Sequence, residues 1–574
     1  MGASLSRLRL LFKSLRAITA AYQELSRRIK QSPGIPASGP TTPYWTMPAS
    51  QLARHGSDAN LPAYADVLII GSGITGTAFA RTLLSLTSKD ADVVNSPQVV
   101  MLEARDACSG ATARNGGHIT PPLYHDYRAL KEAHGAERAK EIIRFRLAHL
   151  AELLQVSREE NIDDSSQCRT VETFDMFFDA AMFEVAVRNL AIYLDEMPEQ
   201  RKLWRVVSAD ECIKDLQFSP TVVGAIATTA GAIHPYRFVT GILTRLLARH
   251  PKNFHLFTHT PCLSISSPPS SKASEPFYTV FTKNGVIRTR HIVHATNAWA
   301  SHLLSPMRGK IVPVRGHMSA QRPGMGLGRV NAPLENTSFK SASDSVLTLT
   351  DNAGTSASNS WLGTRSFIMH SNGKYDYLTQ QPTGSACSSS FYPPPDAEFM
   401  FGGGAAHGEI ADEAFMHEIG VADDRDCDLD TGAYLGGALS MYFSGWGAEG
   451  RDSKCTPSLA DGKIDSGRMK KLWSGILGIS ADGRPWVGRL PAKMTGRPVP
   501  KPKASSPDTS QLAAPGEWIS AGYSGEGMVH AFLSGKALAH MVLGNTADKL
   551  LPELLLVTEA RWKKANLEDL IRNL

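Results

Sequence analysis

Three glycines in Gly71-Ser72-Gly73-Ile74-Thr75-Gly76 and a carboxylate at Glu103 are the residues whose type and spacing point most directly to chemistry. The run from Asp66 to Ile70 before them reads as a buried strand, and the stretch from Ile74 to Leu86 reads as a helix. Strand, glycine turn and helix in that order form an anion site: Gly73 lets backbone approach a pyrophosphate, and Gly76 lets the helix close on the strand. The exposed N–H groups and the positive end of the helix dipole then face the phosphates. A second strand, Val99 to Leu102, delivers Glu103, which can accept hydrogen bonds from both hydroxyls of an adenosine ribose. Its separation from Gly76 exceeds the usual spacing of about 20 residues, and the polar insertion Ser88 to Pro97 accounts for the excess. Glu103 would repel a ribose phosphate, so NADP is disfavoured, and NAD and FAD stay open at this point.

The elements that must position these residues follow from pattern. Further strands are expected at His291 to Ala295, Phe399 to Phe401 and Trp518 to Ala521, and helices at Ala136 to Val156, Tyr236 to Arg249 and Met528 to Leu543. Residues 31–62 read as a connector, and four stretches read as surface loops: Ser266 to Pro276, Asp351 to Ser360, Pro382 to Asp396 and Pro491 to Gly516. The composition, 42% hydrophobic and 20% charged over 574 residues, is that of a globular chain with more than one lobe. Seven dispersed cysteines without a CxxC pair argue for free thiols and against a zinc site, so no metal is expected.

Charge is confined to one end. Of a net +5, residues 1–30 carry +6, seven Lys or Arg against Glu24, which leaves the body near neutral and gives no reason to expect nucleic acid. Leu8, Leu11, Leu15, Ile18, Tyr22, Leu25 and Ile29 recur at steps of three and four, the stripe of an amphipathic helix with basic faces. Docking on the body, contact with an anionic membrane surface and a mitochondrial presequence are all open for it, and the first six residues also fit a myristoylation pattern. No run is apolar enough to cross a bilayer, so a cytoplasmic protein is the default expectation.

The segment after Glu103 narrows the choice of cofactor. Ala104-Arg105-Asp106-Ala107-Cys108-Ser109-Gly110-Ala111-Thr112-Ala113-Arg114-Asn115-Gly116-Gly117-His118 resembles the flavin-approach loop of the D-amino-acid oxidase/glycine oxidase (DAO) family, especially its gamma-glutamylputrescine oxidase-like branch. Flat rings pack closely only on backbone without Cβ atoms. Three other stretches carry the same resemblance: Thr260-Pro261-Cys262 with Ala295-Thr296-Asn297-Ala298-Trp299, then Pro313-Val314-Arg315-Gly316-His317, and the closing region Trp473 to Gly488 with Gly522-Tyr523-Ser524-Gly525-Glu526-Gly527-Met528.

The resemblance implies an α/β fold: a Rossmann-type FAD-binding domain interleaved with a mixed-sheet substrate domain of α+β character. The expected division is 1–62 as N-terminal helix and linker; 63–120, 231–318 and 471–545 as the discontinuous FAD domain; 121–230 and 319–470 as the substrate lobe; and 546–574 as a tail. Contacts to FAD are expected from Gly71, Gly73, Ile74, Thr75, Gly76, Glu103, Ala104, Arg105, Ser109, Gly110, Ala111, Thr112, Arg114, Asn115, Gly116, Gly117, Cys262, Ala295, Thr296, Asn297, Trp299, Gly522, Ser524, Gly525, Glu526, Gly527 and Met528. Glu526 should point away from flavin N1, where negative charge develops on reduction. The final turn lies where a helix N-terminus would stabilise that charge.

The implied reaction is oxidation of a C–N bond by hydride transfer to flavin N5, with O2 as acceptor. A dehydrogenase using a quinone or protein acceptor and a non-catalytic flavoprotein are the alternatives. Positioning dominates such chemistry. His118, Arg315 and His317 are the catalytic candidates, His118 foremost because imidazole handles protons at neutral pH. Lys374-Tyr375-Asp376-Tyr377 reads as a strand on which one tyrosine of the two would face the pocket. Two departures matter. The region Gly475 to Asp482 lacks a linking cysteine, so FAD is expected to be non-covalent, with His118 or Cys108 as alternative attachment points. Gly525 stands where relatives that oxidise free amino acids carry a carboxylate-binding Arg, so an amine without that carboxylate is expected unless Arg114, Arg315 or Arg484 substitutes.

Overall fold

The computed structural model describes residues 2–87, 96–268, 277–323, 363–371, 374–382, 397–404, 416–444, 446, 468–500, 512–566 and 569–570, with side chains from residue 11 onward except at 17. The expected loop Asp351 to Ser360 lies outside them, as do nearly all of Pro382 to Asp396 and parts of Ser266 to Pro276 and Pro491 to Gly516.

Two sheets organise the chain. In the first, six strands run in the order Trp486–Arg489, Gly516–Ala521, Gly285–His294, Tyr64–Ile70, Val99–Leu102 and Phe254–Phe257, and the pair Cys262–Ser266 and Tyr278–Thr282 extends from Gly285–His294. Its inner strands pair in parallel and bury both faces, which is why their sequences are continuous apolar runs. The helices Ile74–Thr87, Pro235–Arg249 and Ala531–Val542 belong to the same apolar core. At the contact of the first and last of these, Gly535 meets the carbonyl of Thr75: a Cβ there would fall 2.6 Å from it.

The second sheet has nine strands in a mixed arrangement. Its path is Met469–Ser480, Ile311–Gln321, Phe399–Gly403, Lys374–Gln380, Arg365–Ser371, Arg169–Phe177, Gly224–Ala232 and His118–Ile119, with Arg205–Ser208 beside Gly224–Ala232. Alternation gives it two distinct faces. Phe174, Met176, Phe367, Met369, Leu378, Phe399 and Phe401 pack with the helix Leu429–Tyr442 in one cluster. The opposite face carries Asp175, His370, Tyr375, Tyr377, Met400 and Met318, and it is continuous with the loop that ends at His118.

The connector expectation for residues 31–62 changes most on inspection. Tyr44 and Trp45 are buried, Trp45 donates to the carbonyl of Asn115 at 2.6 Å, and Thr41 is bound to Arg114 and Ser474. The segment lacks a regular period because it fills an irregular seam between the two sheets.

Candidate functional site

A cavity of about 1260 Å³, open mouth included, runs along the carboxyl ends of the parallel strands. Its first wall is the predicted turn. Gly71 adopts φ +107°, and a Cβ there would lie 2.6 Å from the Ala295 carbonyl; at Gly76 a Cβ would lie 2.2 Å from the Gly71 carbonyl. Both positions therefore exclude any side chain. Thr112 closes the turn from the other side, where its Oγ1 accepts the Ile74 N–H at 3.0 Å.

Glu103 is fixed on this wall by Ser72, whose N–H and hydroxyl donate at 3.2 and 2.7 Å, and by the Arg105 N–H at 3.0 Å. A carboxylate has about four acceptor sites, so with three of them used one is left for a ribose hydroxyl. Arg105 reaches the buried Asp424 at 2.8 Å and lies over Trp299, 5.8 Å from the ring centroid.

Of the predicted contacts, Gly71, Gly73, Ile74, Thr75, Glu103, Ala104, Arg105, Gly110, Ala111, Thr112, Asn115, Cys262, Ala295, Thr296, Asn297, Trp299, Gly525, Gly527 and Met528 line this one cavity. The remaining eight do not, for identifiable reasons. Gly76 is the packing point of the helix, and Ser109 lends its carbonyl to Arg114. Arg114 is bound to Thr41, Ser474 and Asp424, and burial pulls it down to about 10. Gly116 and Gly117 pack on Tyr377 and on the Ile233 carbonyl. Gly522 donates to Asn297 Oδ1 at 2.9 Å, and Ser524 accepts from Ser480 at 3.0 Å, so both hold the last turn in shape. Glu526 turns to Arg146 at 2.9 Å.

Sequence reading missed Gly34, Ile35, Pro36, His302, Leu303, Leu477 and Tyr523 as cavity residues. Tyr523 had a signal inside the closing motif; its hydroxyl ties Thr75 at 2.8 Å to Ser520 at 2.7 Å and so joins the two ends of the cofactor domain. The segment Gly34 to Pro36 carried none.

The cavity fits an adenine–pyrophosphate–isoalloxazine molecule in three observed respects. Added Cβ atoms at Gly110, Gly525 and Gly527 would meet nothing within 4 Å, so backbone there faces open space. Thr296 Oγ1 and Trp299 Nε1, both on the wall, are buried without a hydrogen-bond partner among the described residues. The donors are backbone amides and hydroxyls, the set that suits phosphates and ring carbonyls.

His118 continues from the flavin-approach loop onto its short strand, opposite Ala232. Its Nε2 is buried with no partner among the described residues, and burial, opposed only in part by the Asp175 charge, pulls the imidazole down to about 4. It is therefore neutral at physiological pH.

Arg315 and His317 are corrections. They share the sheet face opposite to Gly316, Met318 and Ala320, so the period of two points them away from the cavity. Arg315 is bound to both oxygens of Glu418 at 2.5 and 2.9 Å, and His317 Nε2 accepts the Asp428 N–H at 2.9 Å, just before the helix Leu429–Tyr442. The tyrosine expectation is also corrected: residues two apart share a face, so Tyr375 and Tyr377 lie on the cavity side together, while Asp376 faces Tyr434 and Tyr442.

Beneath the last turn lies a network that the sequence did not announce. Arg146, on the helix Ala136–Glu159, binds Asp126 at 2.8 Å, Glu526 at 2.9 Å and His530 Nε2 at 3.4 Å. Burial pushes Glu526 up to about 7 in spite of Arg146 beside it.

The model of the family described as DAO, FAD dependent oxidoreductase, matches residues 66–541. Among solved structures the chain is similar to glycine oxidase from Geobacillus kaustophilus, with 13% identity, TM-score 0.53, and 87% of this chain and 99% of that one covered. It is also similar to L-amino acid deaminase from Proteus vulgaris with its specific insertion deleted, at 14% identity, TM-score 0.54, and 89% and 98% coverage. Iminodiacetate oxidase from Chelativorans sp. BNC1 aligns at 15% identity and TM-score 0.50, over 86% and 98%. No curated protein matches the sequence. With a glycine-lined cavity in place and the family pattern spanning most of its length, the chain belongs to the DAO family of FAD-dependent oxidoreductases.

Proposed function

We propose that this enzyme oxidises the C–N bond of an amine that lacks a free α-carboxylate, with FAD held non-covalently and O2 as acceptor. When bound, FAD supplies the hydride acceptor at N5. The observation that carries the reading is the junction of two surfaces: an open glycine turn, Gly525 to Gly527, and a neutral His118 at the end of the flavin-approach loop whose Nε2 has no partner among the described residues. The first leaves room for the cofactor, and the second can accept a hydrogen bond from the substrate amine and so hold its C–H bond toward the cofactor.

Substrate class follows from the arginines. A carboxylate-reading Arg must present a free fork. Arg114, Arg315 and Arg484 are each committed, to Asp424, Glu418 and Asp482 respectively, and Gly525 has no side chain to offer. Non-covalent attachment is supported by Cys108, whose thiol is buried and pushed well above its ordinary value, so no thiolate is available for linkage. Anaerobic mixing with a panel of primary and secondary amines and their α-carboxylated counterparts tests this. Bleaching of the flavin by the amines alone is expected, and bleaching by amino acids alone would overturn it.

A second reading concerns the acceptor and location. On the helix Gly2–Lys30, Leu25 and Ile29 are 4% and 2% exposed, yet Leu11, Leu15, Ile18 and Tyr22 on the same stripe are 47–65% exposed. Residues 1–23 hold Arg7, Arg9, Lys13 and Arg16 and no acid. That pattern favours an anionic membrane surface, where a quinone would be at hand. No described helix is long and apolar enough to cross a membrane. Co-sedimentation with phosphatidylserine vesicles, abolished by Leu15→Glu with Ile18→Glu, is the expected outcome; equal recovery with neutral vesicles would count against it.

A further inference from the structure

Asp175 is a buried carboxylate with no Lys or Arg within 4.0 Å among the described residues. Its neighbours are a phenol and two imidazoles: Tyr124 donates to Oδ2 at 2.7 Å, His125 Nε2 lies 3.2 Å from Oδ2, and His370 Nε2 lies 3.9 Å from Oδ1. A buried anion is normally matched by a cation. Here the fold supplies two nitrogen donors around it instead.

The three side chains come from rigid elements. Asp175 and His370 stand on adjacent parallel strands, in the registers Asp175 to Ile368 and Phe177 to His370, and His125 is in the first turn of the helix Tyr124–His134. The His370 ring is stacked on Phe177, with centroids 4.8 Å apart at 8°, and sits 4.6 Å from the His125 ring. Phe177 on one side and His125 on the other restrict its rotation. Even so, His370 Nε2 is buried and makes no hydrogen bond among the described residues.

One donor atom from each of the three lies within 4.8 Å of the others. A zinc ion sits about 2.0–2.2 Å from nitrogen and oxygen ligands, so donors in a tetrahedral site are roughly 3.4 Å apart. His125 Nε2 meets this against Oδ2, His370 Nε2 needs a shift of about half an ångström against Oδ1, and with the three donors within 4.8 Å of one another the set closes on an ion by a movement of about 1 Å. From this we propose that His125, Asp175 and His370 form a binding site for a divalent cation of the zinc class, outside the cavity residues that line the cofactor site. Two imidazoles and one carboxylate select borderline metals over magnesium or calcium, which take all-oxygen shells. Three protein ligands also leave a fourth position open for water or another donor.

The test uses the FAD-loaded enzyme, stripped with chelator, dialysed and titrated with Zn²⁺ by calorimetry. One saturable equivalent is expected. His125→Ala and His370→Ala should each weaken binding by at least about tenfold, and both should keep their flavin absorbance and circular dichroism as proof of fold. Should either alanine variant fail to fold, His370→Gln, which keeps volume and removes the imidazole, gives the same readout. Cobalt loaded in place of zinc should show visible bands beyond the flavin absorption that change in the variants. Absence of saturable binding in the wild type overturns the proposal, and so does binding that the variants retain at full strength or that cysteine alkylation abolishes.

Discussion

Two neighbouring regions of the molecule are built from different materials. The cofactor wall is backbone: the Gly71 to Gly76 turn, the loop around Gly110, and the Gly525 to Gly527 turn, with side chains such as Ser72, Thr112 and Asn297 serving to hold main chain in place. The neighbouring sheet presents side chains beyond the cavity lining, Asp175, His370, Tyr375 and Tyr377, on a scaffold whose other face is a phenylalanine-rich core. The main chain at Gly71 and Gly76 tolerates no added atom, whereas Gly110, Gly525 and Gly527 face open space and the side-chain wall tolerates substitution with a change of chemistry. The contrast teaches that binding and reactivity in this fold can be damaged separately.

The largest effect should come from the backbone wall. Gly76→Val places its Cβ 2.2 Å from the Gly71 carbonyl and should cost more than about 4 kcal/mol, with complete loss of FAD, as read by chemical denaturation and flavin absorbance. Gly110→Ala, which meets nothing within 4 Å and has ordinary extended backbone, should leave stability within about 0.5 kcal/mol. Equal damage from the two would break the comparison.

Asp424 is next. It is fully buried between Arg105 and Arg114, so Asp424→Ala should cost about 3–5 kcal/mol by leaving two buried guanidinium groups unpaired. A denaturation midpoint close to the wild type would show that the pair is not structural.

Acid should act through the histidines beneath the last turn. His149 is fully buried and burial pulls it down to about 4, while His530 lies well below its ordinary value. Both are neutral in the fold, and the unfolded chain takes up their protons first. Stability is therefore complete above about pH 6.5 and falls as pH drops toward 4, by about 3 kcal/mol from His149 alone at pH 4. Urea midpoints across that range check the slope, and a flat profile would contradict the burial argument.

On the side-chain wall, His118→Gln should lower kcat about a hundredfold with FAD retained. A normal kcat would remove His118 from substrate positioning. The smallest effect is expected from His317→Gln, on the far face of the sheet, which should change kcat by less than about threefold.

The comparison also explains what the sequence disclosed. Backbone sites advertise themselves, because only glycine satisfies a φ of +107° at position 71 or a contact of 2.2 Å at position 76. Buried parallel strands do likewise, since both faces must be apolar, and Val99–Leu102 was placed to the residue. Side-chain sites do not. Arg315 and His317 were in a motif next to the flavin approach, yet the direction of each was set by strand alternation and by Glu418 and Asp428, which are distant in sequence. His125, Asp175 and His370 are spread over 245 positions, so nothing in their local spacing brings them together. The seam segment with Thr41 and Trp45 was illegible for another reason: its contacts are irregular and leave no period to read.

The most direct measurement is anaerobic absorbance of the purified enzyme before and after acid precipitation, followed by addition of the amine panel. A flavin spectrum that moves wholly into the acid supernatant, and that bleaches with an amine in the intact enzyme, is the predicted result. Colourless protein that takes up no added FAD, or bound flavin that no amine reduces, would contradict the account.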